Sequence, residues 1–412
     1  MFATDHLHYP NKVGPLYGSI PYVTGLSSSA ATGMLWVNSA KTIIDIDRPT
    51  ASDDSEAGVQ LTFASEANSM EFFMISSAYV PEADDADSKA TNRVKILSED
   101  LATVTGFAPM PLLHMFGYHF CKWYPVSADM LIERNANFTD YGFPIDVLWS
   151  DIEWAQQNDD PSGYEYFKFN PKNFTDAQIT EMNSEIEKSG RRIVVIVDPH
   201  IKAADDYFVY SEGMDLQQQE QPAGNVSNIF IREGPGSDKP FYGDCWPGNS
   251  TWIDFLNTNA QNYWGDLFSY DKFKGSNYMY SFWNDMNEPA VFSTDSHTMP
   301  MDAVHVKADG TTLQHLEIHN AYGALHQRSS YRGLLKRDDN KQRPFVLTRS
   351  FFMGSQKYSA YWTGDNTATY EEVLGSFTMI LQNGIAGHPF GGADVPGFYG
   401  NPTDDLYVMF YQ

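Results

Sequence analysis

Two features of this 412-residue sequence predict an α/β barrel preceded by a β-rich domain. From about Gly106 onward, short apolar runs alternate with longer segments of helical period, the order that a parallel sheet with crossover helices requires. The apolar runs also end in polar or charged residues, at Asp151, Asp198, Asp285, Arg349, Asp365 and Asp394. A (β/α)8, or TIM, barrel places such groups at the C-terminal ends of its strands. An open doubly wound sheet shares the alternation, but no Gly-rich phosphate fingerprint follows the first strand.

Taken in order, residues 1 to about 105 read as all-β. Runs at 16–23, 33–38 and 72–80 are short and punctuated by Gly, Ser and Pro. The acidic stretch 81–87 lacks the ligand spacing and the glycine of a calcium loop and is expected to be a solvated hairpin tip. A first barrel strand is expected at 116–120, with Ser127 capping a helix that carries Met130, Leu131 and Arg134. Residues 146–149 form the second strand. Thr175 and Gln178 make a capping box, Phe174 staples onto Ile179, and Gly190 sits at the helix C-terminus. The run 193–197 is apolar throughout, as a strand buried on both faces should be. Residues 199–278 are a long excursion containing Trp246, and excursions of that length are usually functional. Strands are then expected at 280–284, 345–348, 358–362 and 387–390, with a helix around 318–335. Thr369 and Glu372 form a second capping box, followed by Val373, Phe377 and Ile380 on one face and Gly384 at the end. Seven barrel strands and no internal repeat result.

Composition narrows the function. With 27 Lys and Arg against 53 Asp and Glu, the net charge is −26, which argues against nucleic acid and anionic membranes. No run of eighteen apolar residues exists, so no membrane span is expected. The first residues lack the basic start and apolar core of a signal peptide. The two cysteines, Cys121 and Cys245, are too few for a disulfide framework and are expected to be buried thiols or a single bridge. Neither the Cys-x-x-Cys nor the His-Glu-x-x-His metal-binding spacing occurs. Sequons at Asn137, Asn173, Asn225 and Asn249 lend weak support to a secretory route.

The chemistry centres on Trp283-Asn284-Asp285-Met286-Asn287-Glu288-Pro289 and Trp362-Thr363-Gly364-Asp365-Asn366. Two carboxylates on separate strand ends, each beside a tryptophan, suggest glycoside hydrolysis, with one carboxylate as nucleophile and one as acid/base. Those two motifs resemble glycoside hydrolase family 31. So do Asp151-Ile152-Glu153, the stretch 196–202, Cys245-Trp246-Pro247-Gly248, 318–323 and 391–395, in order over nearly the whole chain.

The resemblance implies a retaining exo-α-glucosidase that needs no cofactor. It implies Asp285 as nucleophile and Asp365 as acid/base. Asp151 and Ile152 would form the pocket floor that holds the terminal glucose, and Arg349 would lie near the acid/base and the sugar hydroxyls. Trp246, Trp283, Trp362 and Phe398 would wall the pocket, Met286 would pack under the sugar, and Glu288 and Asp394 would support these groups from behind. The same resemblance implies that 1–105 is the later part of a β-sandwich domain. It implies that 106–412 is a barrel cut before its eighth strand, with 199–278 inserted; such a chain is expected to be poorly soluble or inactive alone. The nearest branch of the family trims α-1,3-linked glucose from N-linked glycans in the endoplasmic-reticulum lumen with a regulatory β subunit. An α-1,4-glucosidase of storage or dietary glucans and an inactive glycan-binding relative are the alternatives.

Overall fold

The computed structural model describes residues 1–5, 16–27, 29–47, 59–67, 69–77, 86–123, 126–157, 160–219 and 224–412. The N-terminal part holds β1 (Tyr22–Leu26), β2 (Ala31–Trp36), β3 (Thr42–Asp47), β4 (Gln60–Ser65), β5 (Phe72–Ser77) and helix α1 (Ala86–Thr105). Strands β1, β2 and β5 pair antiparallel in that order, and β3 and β4 form a separate antiparallel pair. Helix α1 corrects the all-β expectation. Its Leu97, Leu101 and Thr105 lie one turn apart and are buried, the two leucines in a small core with Ala31, Leu35 and Ile75. So narrow an apolar stripe in a mostly polar 20-residue helix carries little periodic signal. Most of the acidic stretch 81–87 lies outside the described residues, and α1 begins inside it at Ala86.

The second part runs β6 (His119–Phe120), α2 (Ala128–Asp140), β7 (Val147–Ser150), α3 (Asp176–Lys188), β8 (Arg192–Ile196), β9 (His200–Lys202), α4 (Phe208–Gln218), β10 (Gly243–Cys245), β11 (Gly248–Trp252) and α5 (Thr258–Asp266). It continues through β12 (Tyr280–Asn284), β13 (Val304–Val306), β14 (Thr312–Gln314), α6 (His315–Ile318), α7 (Tyr322–Arg337), β15 (Val346–Thr348), β16 (Ala360–Trp362), α8 (Tyr370–Ile385), β17 (Gly391–Gly392) and α9 (Asp404–Tyr411). Seven of these strands form one parallel sheet, in the order β6-β7-β8-β12-β15-β16-β17. The registers Ser150↔Val195, Trp283↔Ile196, Asn284↔Thr348, Thr348↔Tyr361 and Trp362↔Gly392 align the strand ends. Asp151, Asp198, Asp285, Arg349, Asp365 and Asp394 therefore leave the sheet along one edge.

Local signals explain the helices. Ser127 accepts from Met130 N, and Thr175 and Gln178 form the reciprocal box expected at α3. The excursion 199–278 is more structured than a loop. It holds β9, α4, β10 and β11, and it ends in α5, which packs so closely on α7 that a Cβ on Gly333 would lie 2.7 Å from Gly265 Cα. The first strand is shorter than expected, because 113–116 form a 3₁₀ turn before it. The seventh falls at Gly391–Gly392 instead of 387–390. There the Tyr361 ring lies against the backbone, where a Cβ on Gly391 would come within 2.1 Å of Tyr361 Cε1.

Both cysteines are free. Cys245 is buried as expected, but Cys121 is exposed beside the short strand β6. Among the described residues no helix is long and apolar enough to cross a membrane. On α8, Val373 is buried as expected, but Phe377 is exposed. Glu372, Val373 and Ser376 face inward, while Leu374, Phe377, Leu381 and Ile385, spaced three and four apart, stay open. An exposed apolar stripe of this kind promotes association. Pairing Leu374→Lys with Leu381→Glu should therefore raise the soluble monomer fraction in light scattering. The thermal midpoint should hardly move, since substitutions at exposed positions usually cost within about 0.5 kcal/mol. A cooperative loss of folding would show instead that the stripe is core.

Candidate active site

Everything at this edge converges on Arg349, the residue after β15. Its backbone N–H donates to Asn284 O at 3.1 Å, and its side chain is 2% exposed. Nε and Nη2 make a forked pair with Glu288, at 2.8 and 2.9 Å. Nε also lies 3.0 Å from Asp285 Oδ1, Nη2 reaches Asp5 Oδ1 at 3.2 Å, and Nη1 lies 3.8 Å from Asp365 Oδ2. The guanidinium centre sits 4.5 Å from the Tyr17 ring centroid, and Nη2 contacts Met286 Sδ at 3.1 Å. Four carboxylates, from the ends of β12 and β16 and from the N-terminal segment, thus share one buried cation.

The motif after β12 is built to allow this. Met286 takes φ +54°, a left-handed turn that lets Asp285 and Glu288 face the same guanidinium. Asn287 clamps the loop to β15, donating to Thr348 Oγ1 at 2.9 Å and accepting from Ser350 N at 2.8 Å. After β16, Gly364 has φ +87°, and a Cβ there would lie 2.1 Å from Tyr17 Cδ2. Only glycine brings Asp365 this close to Tyr17 and Arg349. Asn366 then ties in the loop after β17: it donates to Asp394 O at 3.1 Å and accepts from Phe398 N at 2.9 Å through its backbone O and 3.1 Å through Oδ1.

Asp151 caps its own 3₁₀ turn, with Oδ1 accepting from Ile152 N at 2.7 Å, and Ile152 is buried beneath it. Trp283 stands edge-on between Trp149 and Trp362, at 5.7 and 5.3 Å between centroids. Trp246 and Phe398 form a second wall, bridged by Trp123: edge-on to Trp246 at 5.9 Å and stacked on Phe398 at 5.8 Å. His119 accepts from Trp149 Nε1 at 3.1 Å and His200 lies 3.3 Å from the Tyr166 hydroxyl, so both have ordinary hydrogen-bonded roles.

Three participants escaped sequence reading. Asp5 and Tyr17 lie more than 330 positions before Arg349, and nothing local marks a lone aspartate as its partner. Tyr17 falls within a run that reads only as a strand. Trp123 follows a strand too short to flag it. Asp198 was visible as a strand end, and the structure buries it completely, accepting from the Tyr166 hydroxyl.

Electrostatics follow from burial. Burial pushes Asp285 and Asp365 above the usual carboxylate range, and Arg349 pulls both back. The charge of Asp365 raises Asp285 further. Asp285 has the shorter contact with the guanidinium, 3.0 against 3.8 Å, so the charge of Arg349 favours its anion more than that of Asp365. Glu288 is pushed up to about 7, by burial against the pull of Arg349. Asp151, Asp198 and Asp394 are raised by burial as well, Asp151 next by Glu153, Asp198 by Asp285 and Asp394 by Asp365.

Parallel strand ends that deliver two carboxylates and a buried arginine to an aromatic-walled edge define a glycoside hydrolase barrel. Residues 108–412 match the family model described as the glycosyl hydrolases family 31 TIM-barrel domain, and 1–45 match the glycosyl hydrolase 31 N-terminal galactose mutarotase-like domain. The chain belongs to glycoside hydrolase family 31. It is 37% identical over 415 aligned positions to a "Probable glucan 1,3-alpha-glucosidase" of Arabidopsis thaliana, covering all of this chain and 42% of that protein. It is 34% identical to "Glucosidase 2 subunit alpha" of Schizosaccharomyces pombe, covering 96% of this chain and 39% of that one. A solved glucosidase II alpha subunit in its alpha3-Glc2-bound form superposes with a TM-score of 0.84 at 34% identity, over 100% of this chain and 41% of the other. The chain spans about two fifths of the length of these relatives.

A carboxyl whose folded-state pKa is raised costs stability that builds up as pH climbs from its unfolded value to its folded one and stays lost above it, because over that window the unfolded chain gives up the proton first. Asp365→Asn removes that cost. Its thermal midpoint should exceed the parent's by about 2–4 °C at pH 8, with a smaller gain at pH 5, where the native carboxyl keeps its proton. Equal gains at both pH values would contradict a raised Asp365.

Proposed function

We propose that the chain is the catalytic part of a retaining exo-α-glucosidase that removes terminal α-1,3-linked glucose from N-linked glycans. The observation that carries this reading is the contact of Asp285 and Asp365 with one buried guanidinium, at 3.0 and 3.8 Å, from two different strand ends. Asp285, held ionised by Arg349, attacks the anomeric carbon while Asp365 gives its proton to the departing glycosidic oxygen. Asp365, now a carboxylate, takes a proton from water as that water attacks the glycosyl ester, which restores both groups. Asp151 at the pocket floor grips hydroxyls of the terminal glucose, with Trp246, Trp283, Trp362 and Phe398 presenting apolar faces to the ring. No metal or cofactor takes part in these steps.

Linkage and setting rest on the relatives. Two carry names that specify 1,3-linked glucan or glucosidase 2, and one solved relative is a glucosidase II heterodimer with the binding domain of its regulatory subunit. We extend to this chain a glycan substrate, a regulatory β subunit and the endoplasmic-reticulum lumen. The α-1,4-glucosidase reading shares the same two aspartates, and a panel of α-1,3 and α-1,4 glucose disaccharides separates the two. Proton NMR of the first sugar released should show α-glucose; initial β-glucose would exclude a nucleophilic Asp285.

The roles are separable by rescue. Asp365→Ala should retain turnover of substrates with activated leaving groups, and azide should accelerate it through an α-glucosyl azide, formed by attack on the β-linked glycosyl ester. Asp285→Ala should lose the glycosyl intermediate, and any azide product should be β-configured, because a single inversion remains. The opposite pattern would exchange the two roles.

A further inference from the structure

A second buried polar system lies outside the catalytic edge. Asp254 Oδ1 faces His305 Nδ1 at 2.7 Å, and His305 Nε2 faces His315 Nδ1 at 2.9 Å. His315 Nε2 faces His319 Nδ1 at 2.9 Å, and His319 Nε2 faces Ala3 O at 2.7 Å. Asp254 and all three histidines are 0% exposed. The ring nitrogens are used in series, each facing one neighbour, and among the described residues no cluster is placed to hold a metal ion.

Counting protons decides the charge of this chain. Four contacts need four hydrogens. Ala3 O can only accept. Asp254 already accepts from Val306 N and Asn228 Nδ2 at 2.8 Å each through Oδ2, and from Leu256 N at 3.2 Å through Oδ1, which marks it as a carboxylate. Three neutral imidazoles supply only three hydrogens. The fourth requires one imidazolium, and its place is His305, beside the carboxylate. His319 is neutral, pushed down to about 4 by burial, and burial and its two histidine neighbours hold His315 well below the usual range.

Other groups on the packed elements leave this count unchanged. The Tyr322 hydroxyl donates away, to Ile253 O at 2.8 Å, and Phe2 stacks on His319 at 4.4 Å. Arg232 bonds Asn228 instead of Asp254, Glu317 turns to Gln314 N, and Lys41 lies 5.6 Å above the Phe2 ring.

We infer that Asp254, His305, His315 and His319 form a proton-filled chain with one imidazolium, whose far end positions Asp5 beside Arg349. Ala3 is held twice, by His319 and by its own N–H donating to Asn320 Oδ1 at 2.9 Å. The Thr4 hydroxyl donates to Ser296 O at 2.8 Å, and Asp5 then meets Arg349 Nη2 at 3.2 Å. Asp5 is among the charges that raise Asp285, Glu288 and Asp365. The histidines are thus positioning residues: they touch no substrate, but they set how strongly the Asp5 charge bears on the catalytic pair.

The proton count does not depend on the proposed activity; the positioning role rests on it. With ¹⁵N-histidine in the 412-residue chain at pH 7, His305 should show two protonated ring nitrogens, and His315 and His319 one each, at Nε2. Asp254→Asn places an amide donor against His305 Nδ1, so His305 should become neutral while the other two tautomers persist. A neutral His305 in the parent, or an Nδ1–H tautomer at His315 or His319, would overturn the chain. For positioning, His319→Ala should move both limbs of the pH–rate profile on a chromogenic α-glucoside to lower pH by about 0.5 unit. Asp5→Asn should give the same shift, and the double variant no more. An unmoved profile in either single variant would overturn the positioning role. If the parent hydrolyses no α-glucoside, the proposed function fails separately, and the same shifts are read from the ¹³C titration of Asp285 and Asp365.

Discussion

The site depends on burying one guanidinium among carboxylates that would otherwise repel one another. Glu288 is 0% exposed, and Asp285 and Arg349 are nearly so. A buried carboxylate without a cation is strongly unfavourable, and removing one partner of such a cluster typically costs about 3–5 kcal/mol. Arg349 is accordingly more than a sugar contact. It is the counter-ion that allows the β12 and β16 ends and the N-terminal segment to approach. Sequence reading placed Arg349 near Asp365, and its fork to Glu288 shows why Glu288 accompanies Asp285 in Asp285-Met286-Asn287-Glu288.

The same burial carries a stability cost that the chemistry uses. Asp151, Asp198, Asp285, Asp365 and Asp394 are all disfavoured as anions by their surroundings. A fold selected for stability alone would not gather them. Gathered, they favour one carboxyl keeping its proton while a neighbour is ionised, the condition that the proposed division into acid and nucleophile requires.

Much of this was legible in the sequence because local chemistry fixes it. The capping box at Thr175, the apolar run of β8 and the strand ends at Trp283 and Trp362 each constrain neighbours a few residues apart, and each appears where expected. The seven strands were found, although the short edge strands slipped by a few residues, since two-residue strands carry no period. Helix α1 was missed because its polar composition hides its stripe. Asp5, Tyr17 and Trp123 were missed for a different reason: their roles come from contacts across the chain, which no local pattern encodes. The series Asp254, His305, His315 and His319 is of the same kind, since only the fold aligns its ring nitrogens.

We infer that Arg349 sets Asp285 and Asp365 in opposite protonation states. The most direct test is a titration of ¹³Cγ-labelled aspartate, with Asp285 and Asp365 assigned by single substitution. Asp285 should lose its proton at lower pH than Asp365, and Arg349→Gln should move both midpoints upward. An Asp285 that titrates above Asp365, or midpoints indifferent to Arg349, would contradict it.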